Sequence, residues 1–110
     1  MTPYRVVFIT VPNEHQADHL TKLLLEGKFA ACVNRIKDIQ SQYWWEGTIE
    51  TAEEHLLIVK TRQDLVEDLI AAVRAQHSHA VPEIIALPIL AGNPDYLEWI
   101  NDSTRPQQEI

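Results

Sequence analysis

A chain of 110 residues, 45% hydrophobic and 23% charged, has room for one domain around one core and has the composition of a folded protein, not a disordered one. A formal net charge of −7 argues against nucleic acid or an anionic membrane as the principal partner and is compatible with cation binding. Cys32 is the single cysteine, which excludes an internal disulfide and a CxxC motif; with no membrane-length apolar run and a start, MTPYRVVFIT, lacking signal-peptide regions, the expected compartment is the cytoplasm.

Residues 5–11, RVVFITV, form a continuous β-branched run closed by Pro12, the pattern of a buried central strand. Asn13 is placed to cap a helix in EHQADHLTKLLLEGK, where Ala17, Leu20 and Leu24 recur at helical spacing and Gly27 supplies a stop. FAACVNRIKDI opens an extended segment that continues through Tyr43 to Trp44 and Trp45. Glu46–Gly47 is the turn, and TIETAEEHLLIVKT returns as the second strand. From Ala30 to Thr61 the chain therefore reads as a β-hairpin with arms longer than the usual five or six residues, roughly. Arms of that length invite an irregularity, expected near Lys37–Asp38 or Thr51–Glu53. Neighbours on a regular strand point to opposite faces, so one of Trp44 and Trp45 should face the chain's own core and the other should face away. Aromatics on both faces suggest a second body against the outer one.

RQDLVEDLIAAVRAQH carries Val66, Leu69, Ile70 and Val73 on one helical face. PEIIALPIL follows as a fourth strand, which Pro82 and Pro88 assign to an edge or to an early end. GNPDYLEWINDST predicts a closing helix with Asn93 at the cap, Pro94 at the first position, and Leu97 and Ile100 inward. RPQQEI reads as a frayed tail, so the domain is taken as residues 1–105 with a flexible segment over 106–110. The order β-α-β-β-α-β plus a terminal helix predicts an α+β, ferredoxin-like fold: a four-stranded antiparallel sheet with both helices on one face. The opposite face would carry an apolar patch too large for a stable monomer, and oligomerisation with the long hairpin reaching across would cover it.

Metal-binding spacing is sparse. His15 and His19 stand at i, i+4 and can meet one ion, but they fall beside Lys22 and Glu26, opposite Leu20 and Leu24, where a solvated polar face is the commoner use. His77 and His79 alternate in QHSHAVPE ahead of Glu83; on an extended segment both rings point to one side, as metal ligands require. His77 can instead simply close the preceding helix, whose C-terminus favours positive charge. Cys32 sits in the apolar run FAACV, where an inert thiol is the default. Lys60 and Arg62 end a strand in VKTR, where they can meet an anion or pair with Glu83. No GxSxG, P-loop, HExxH or GxGxxG is present, and Glu53–Glu54 show no spacing for an acid/base pair, so nothing in the residues argues for an enzyme.

FAACVN, YWWEGTIE, LLIVKTR, HSHAVPEIIALPI and DYLEWI, in this order from about Val6 to Trp99, resemble the CutA family of divalent-cation tolerance proteins. The resemblance implies a ferredoxin-like fold related to PII-type signalling proteins. It also implies a homotrimer in which the long hairpin packs on a neighbour, with Tyr43 and Trp45 in or near the subunit interface. Functionally it implies tolerance to copper and other divalent ions, copper binding being attributed to some members. Against the family's HPYxxPE segment, His77, Pro82 and Glu83 match, while Ser78 and His79 replace Pro and Tyr. Ile9 and Thr10 stand where some members carry a Cys, and Cys32 matches the Cys of AACV. The implied metal ligands are therefore His77 and Cys32. The same matched residues suggest a second use, in which Cys32, Lys60, His77, Glu83 and Trp45 line a cleft between subunits for a polar small ligand. The expected function is thus a non-enzymatic, metal-binding or metal-responsive homotrimer that requires no cofactor, with copper as the candidate ion. The alternative is a PII-like signalling or scaffold trimer that takes a small ligand or a protein partner at the subunit cleft.

Overall fold

Strand β1 (Tyr4–Val11) lies inside a four-stranded sheet of order β2-β3-β1-β4, flanked by β3 (Thr48–Arg62) and β4 (Ile84–Pro88), with β2 (Cys32–Trp45) at the far edge. All three pairings are antiparallel. The structure is a computed structural model and describes residues 2–106. Helices α1 (Glu14–Glu26), α2 (Val66–Gln76) and α3 (Pro94–Asp102) complete the predicted order.

Local signals act where the sequence puts them. The Asn13 carboxamide oxygen accepts the Gln16 backbone N–H at 2.8 Å and starts α1. Asn93 does the same for α3, accepting from the Asp95 N–H at 3.1 Å, with Pro94 at the first turn. α2 begins later than periodicity alone suggests. Arg62 remains extended as the β1 partner of Tyr4, and a short 3₁₀ turn over Gln63–Leu65 intervenes. β4 is an edge strand and ends early, as its prolines indicate.

Alternation divides the sheet into two faces. Val7, Ile9 and Val11 of β1 and Leu57 and Val59 of β3 are fully buried against Ala17, Leu20 and Leu24 of α1 and Leu69 and Val73 of α2. The residues between them point to the other side: Val6 and Phe8 of β1, Leu56 and Ile58 of β3, and in register with them Ile36, Ile85 and Leu87. Ile36, Ile85 and Leu87 are exposed, the open apolar face that the topology predicts. The face is not wholly open, however. α3 contacts β3, and Tyr4 and Arg62 at that end are buried.

The hairpin register breaks between Ile36 and Ile39, so Lys37 and Asp38 together oppose His55, and Asp38 takes a φ of 58°. This is one of the two sites where an irregularity was expected. Because the extra residue restores alternation, Ile36 and Ile39 stay on the same face and Tyr43 and Trp45 follow on it. At the tip, Glu46 (φ 48°) and Gly47 (φ 84°) are both left-handed, the geometry of a two-residue hairpin turn that matches strand twist. A Cβ on Gly47 would meet no atom within 4 Å, so its only penalty is in the backbone. Gly47→Ala is accordingly expected to cost about 1 kcal/mol in denaturant unfolding, and Gly47→Asn less, because Asn tolerates that region.

Two expectations are corrected. Neither tryptophan faces the chain's own core: Trp44 is 72% exposed and Trp45 is 51% exposed. Trp45 does share the open face and Trp44 pairs with Ile49 on the other, but among the described residues too little lies over Trp44 to bury it. The terminal segment is also more anchored than a frayed tail at Arg105. Its N–H donates to the Lys28 carbonyl at 3.0 Å, its Nε donates to the Gly27 carbonyl at 2.7 Å, and its guanidinium lies 4.1 Å from the Phe29 ring centre. The flexible segment expected over 106–110 falls, beyond Pro106, outside the described residues.

Candidate functional site

The first candidate lies where α3 meets the open face. Cys32 begins β2 directly opposite Lys60, and Asn34 follows on the same face. The Lys60 Nζ donates to the Asn34 side-chain oxygen, and the Cys32 Sγ lies 3.9 Å from that oxygen. Tyr96 of α3 closes the group: burial first, and then the neighbouring Cys32 thiol, push its phenol above the ordinary range. Trp99 stands beside it at a ring separation of 5.4 Å. An ammonium, a carboxamide, a hydroxyl and a thiol against apolar strands suit a polar or anionic ligand. They do not suit a second cation, which the Lys60 charge directly opposite Cys32 repels.

His77 occupies a different place. It closes α2, its N–H donating to the Val73 carbonyl at 2.8 Å. The ring Nε2 lies 2.8 Å from the Thr10 carbonyl, which can only accept, so Nε2 carries the proton. Nδ1 accepts the His79 backbone N–H at 3.0 Å. Gln16 of α1 supports the same turn, donating to the Gln76 carbonyl at 3.2 Å and accepting from the Ser78 N–H at 2.8 Å. The adjacent depression, about 630 Å³, is lined by Arg74, Ser78 and alanines beside His77 and His79, and has no carboxylate.

The residues singled out from sequence thus fall into three groups within one chain. Lys60 pairs with Val6, whereas His77 is bonded at Thr10, about 13 Å further along β1, so Cys32 and His77 are not brought together. Glu83 lies at the His77 end, ahead of the Ile84–Ile9 pair, and makes no ion pair among the described residues; Arg62 pairs with Asp64 instead. Trp45 opposes Thr48 at the hairpin tip, roughly 40 Å of strand away from Lys60. His15 and His19 are exposed on α1, and the His19 Nε2 lies 3.1 Å from the Gln76 side-chain oxygen. Among the described residues no three His, Cys, Asp or Glu side chains converge on a common point. Within one chain, therefore, the implied copper ligands His77 and Cys32 do not meet. Sequence reasoning missed Asn34, which an i, i+2 relation to Cys32 on one strand could have disclosed, and Tyr96, for which no local signal exists.

Residues 5–103 match the family described as CutA1 divalent ion tolerance protein. The chain belongs to the CutA1 family. Among CutA1 relatives, the chloroplastic CutA 1 of Oryza sativa subsp. japonica is 50% identical over 103 residues, which is 94% of this chain and 58% of that protein. The divalent-cation tolerance protein CutA of Thermus thermophilus is 44% identical over 99 residues, 90% of this chain and 96% of the relative. The crystal structure of CutA1 from Oryza sativa matches with a TM-score of 0.93 at 48% identity, covering 96% of this chain and 97% of that one. The Thermus thermophilus structure matches with a TM-score of 0.91 at 43% identity, covering 93% and 99%. The chain spans a little over half the length of the curated rice, Arabidopsis thaliana and mouse relatives, at 58%, 57% and 55%. The Thermus thermophilus and Archaeoglobus fulgidus relatives are named as divalent-cation tolerance proteins. The relatives' compartments differ: the plant proteins are named chloroplastic, and an Archaeoglobus fulgidus structure is described as periplasmic. Membership alone thus does not carry the cytoplasm expected for this chain. Among the described residues, no helix is long and apolar enough to cross a membrane.

Proposed function

We propose that this chain serves divalent-cation tolerance as a homotrimer of PII-like architecture that binds a small anionic ligand where subunits meet, and that it does not itself chelate copper. The observation that carries this reading is the Lys60 ammonium, held by Asn34 opposite Cys32 on the open apolar face, with Tyr96 of α3 beside the Cys32 thiol. The remaining cleft residues come from elsewhere in the assembly. Trp45 projects on an arm too long to fold back on its own sheet, which supports its entry into a neighbour's cleft. The number three comes from the resemblance to the family. The uncovered apolar residues Ile36, Ile85 and Leu87 support an assembly that buries them.

The test is a thermal-shift screen of small anions, from inorganic phosphate to nucleotides and di- and tricarboxylates, on the wild type and on Lys60→Ala. A ligand at a hundred times its Kd should raise stability by about 2.7 kcal/mol, and the gain should vanish in Lys60→Ala. Glu83→Gln should reduce it, because in this reading Glu83 enters the cleft from a second subunit. One tight Cu(II) site per chain that survives Lys60→Ala, with no stabilising anion, would replace this reading by metal chelation.

A further inference from the structure

We infer that His77, the residue the family pattern offers as a copper ligand, is a structural latch: its ring fastens the loop between α2 and β4 to the end of β1 and has no lone pair free for a metal. The argument is one of valence. A neutral imidazole has one N–H and one lone pair. Here the N–H points at the Thr10 carbonyl and the lone pair accepts the His79 N–H. A metal ion could reach the ring only by displacing one of these bonds, and in compensation the depression offers just the His79 ring, 5.1 Å away between ring centres, and the Ser78 hydroxyl, beside the Arg74 charge and without a carboxylate.

The location explains why a latch is needed. β4 pairs with β1 only as far as Ile84 and Ile9. The carbonyl one residue on, at Thr10, takes the imidazole instead of another rung. The same ring orders the turn that follows, by accepting from the residue two places on. Gln16 fastens both sides of that turn from α1. His77 therefore positions the whole approach to β4, including exposed Glu83, and β4 carries Ile85 and Leu87 of the open face. This holds whether or not the Lys60 cleft takes an anion.

Two measurements test it on the intact chain. Long-range proton–nitrogen correlation of the imidazoles should find His77 as the Nε2–H tautomer. One equivalent of Zn(II) should leave both of its nitrogen signals unmoved, and any metal response should appear at the exposed His15 and His19. Cu(II) calorimetry should then give the same isotherm for wild type and His77→Ala, while the thermal midpoint of His77→Ala falls. The partial replacements separate the two bonds. His77→Asn keeps an acceptor for the His79 N–H and His77→Gln keeps a donor for Thr10, so each should recover part of the lost midpoint. Movement of the His77 nitrogens with stoichiometric Zn(II), or loss of a tight Cu(II) site in folded His77→Asn and His77→Gln, would overturn the latch and restore His77 as a ligand. The wild-type spectrum decides the matter even if every variant folds poorly.

Discussion

The double substitution Tyr43→Glu/Trp45→Glu is expected to yield a folded monomer where, on the proposed assembly, the wild type should sediment and scatter light as a trimer. Both side chains lie on the face continuous with the open sheet, and neither touches the buried core, so the subunit itself should survive. Tyr43 and Trp45 are 42% and 51% exposed, so on assembly each can newly bury about half of an aromatic's roughly 150–250 Å², a contribution of roughly 4–6 kcal/mol per arm at about 25 cal/mol per Å². Glutamates there would not only forfeit that gain but would have to be desolvated without a partner. Far-ultraviolet circular dichroism should be nearly unchanged while the mass falls. Trp44→Glu is the informative control, because Trp44 lies with Ile49 on the opposite face. If Trp44→Glu dissociates the assembly and the double variant does not, the open face is not the contact face. A wild type that is monomeric at micromolar concentration would remove the assembly reading altogether.

The second large effect is expected at Arg62. Its guanidinium is buried beneath α3 and donates to both Asp64 carboxylate oxygens, at 2.9 and 3.0 Å, to the Thr104 hydroxyl at 2.8 Å, and to the Arg105 carbonyl. It therefore ties the end of β3 to the residues after α3. Removing the partner should hurt more than removing the charge. Asp64→Ala leaves a buried cation without its carboxylate and should cost about 2–3 kcal/mol, below the range for fully buried pairs because Asp64 is 44% exposed. Arg62→Met returns Asp64 to water and fills most of the space; its cost, about 1–2 kcal/mol, is that of leaving the Thr104 and Arg105 acceptors unmet. Denaturant unfolding of the two variants measures the asymmetry, and equal costs would refute it. The pH dependence has a definite sign. The hydrogen bonds from Arg62 hold the Asp64 carboxyl below the ordinary aspartate range. A lowered folded-state value means that the contribution is present at neutral pH and is lost as pH falls through it. Wild type and Asp64→Asn should thus converge in stability at strongly acid pH and differ above it.

Much of this architecture was legible locally. The Asn13 and Asn93 caps, the Glu46–Gly47 turn and the edge position of the proline-bounded β4 are readable within a few residues of themselves, and the bulge was narrowed to two sites, of which the hairpin uses Lys37–Asp38. Each is set by which backbone angles and hydrogen bonds a short segment can supply, and that information does not depend on what the rest of the chain does. The order of elements then left few topologies, and the ferredoxin-like sheet was among them.

What lies over each face was not legible. Period-two alternation told that Trp44 and Trp45 diverge, but only the lengths of α1 and α2 relative to the hairpin decided that neither reaches the core. Arg62 read as a strand-end cation for an anion or for Glu83 until Asp64, α3 and Thr104 came to claim it. Arg105 looked like a tail residue until the Gly27 and Lys28 carbonyls were beside it. The candidate sites divide in the same way. Cys32 and Lys60 were found by motif, and strand register made them neighbours; Tyr96 joined them from a helix whose own sequence speaks only of its cap and inner face. His77 was singled out by its spacing as a ligand, yet a side chain's valence is allotted by whatever polar groups surround it, and Thr10 and His79 had taken both nitrogens. By itself, then, the sequence determined the elements, their caps and turns, their order and the family. Burial, pairing and the free lone pairs belonged to tertiary structure, because they depend on groups that only folding brings within hydrogen-bond distance.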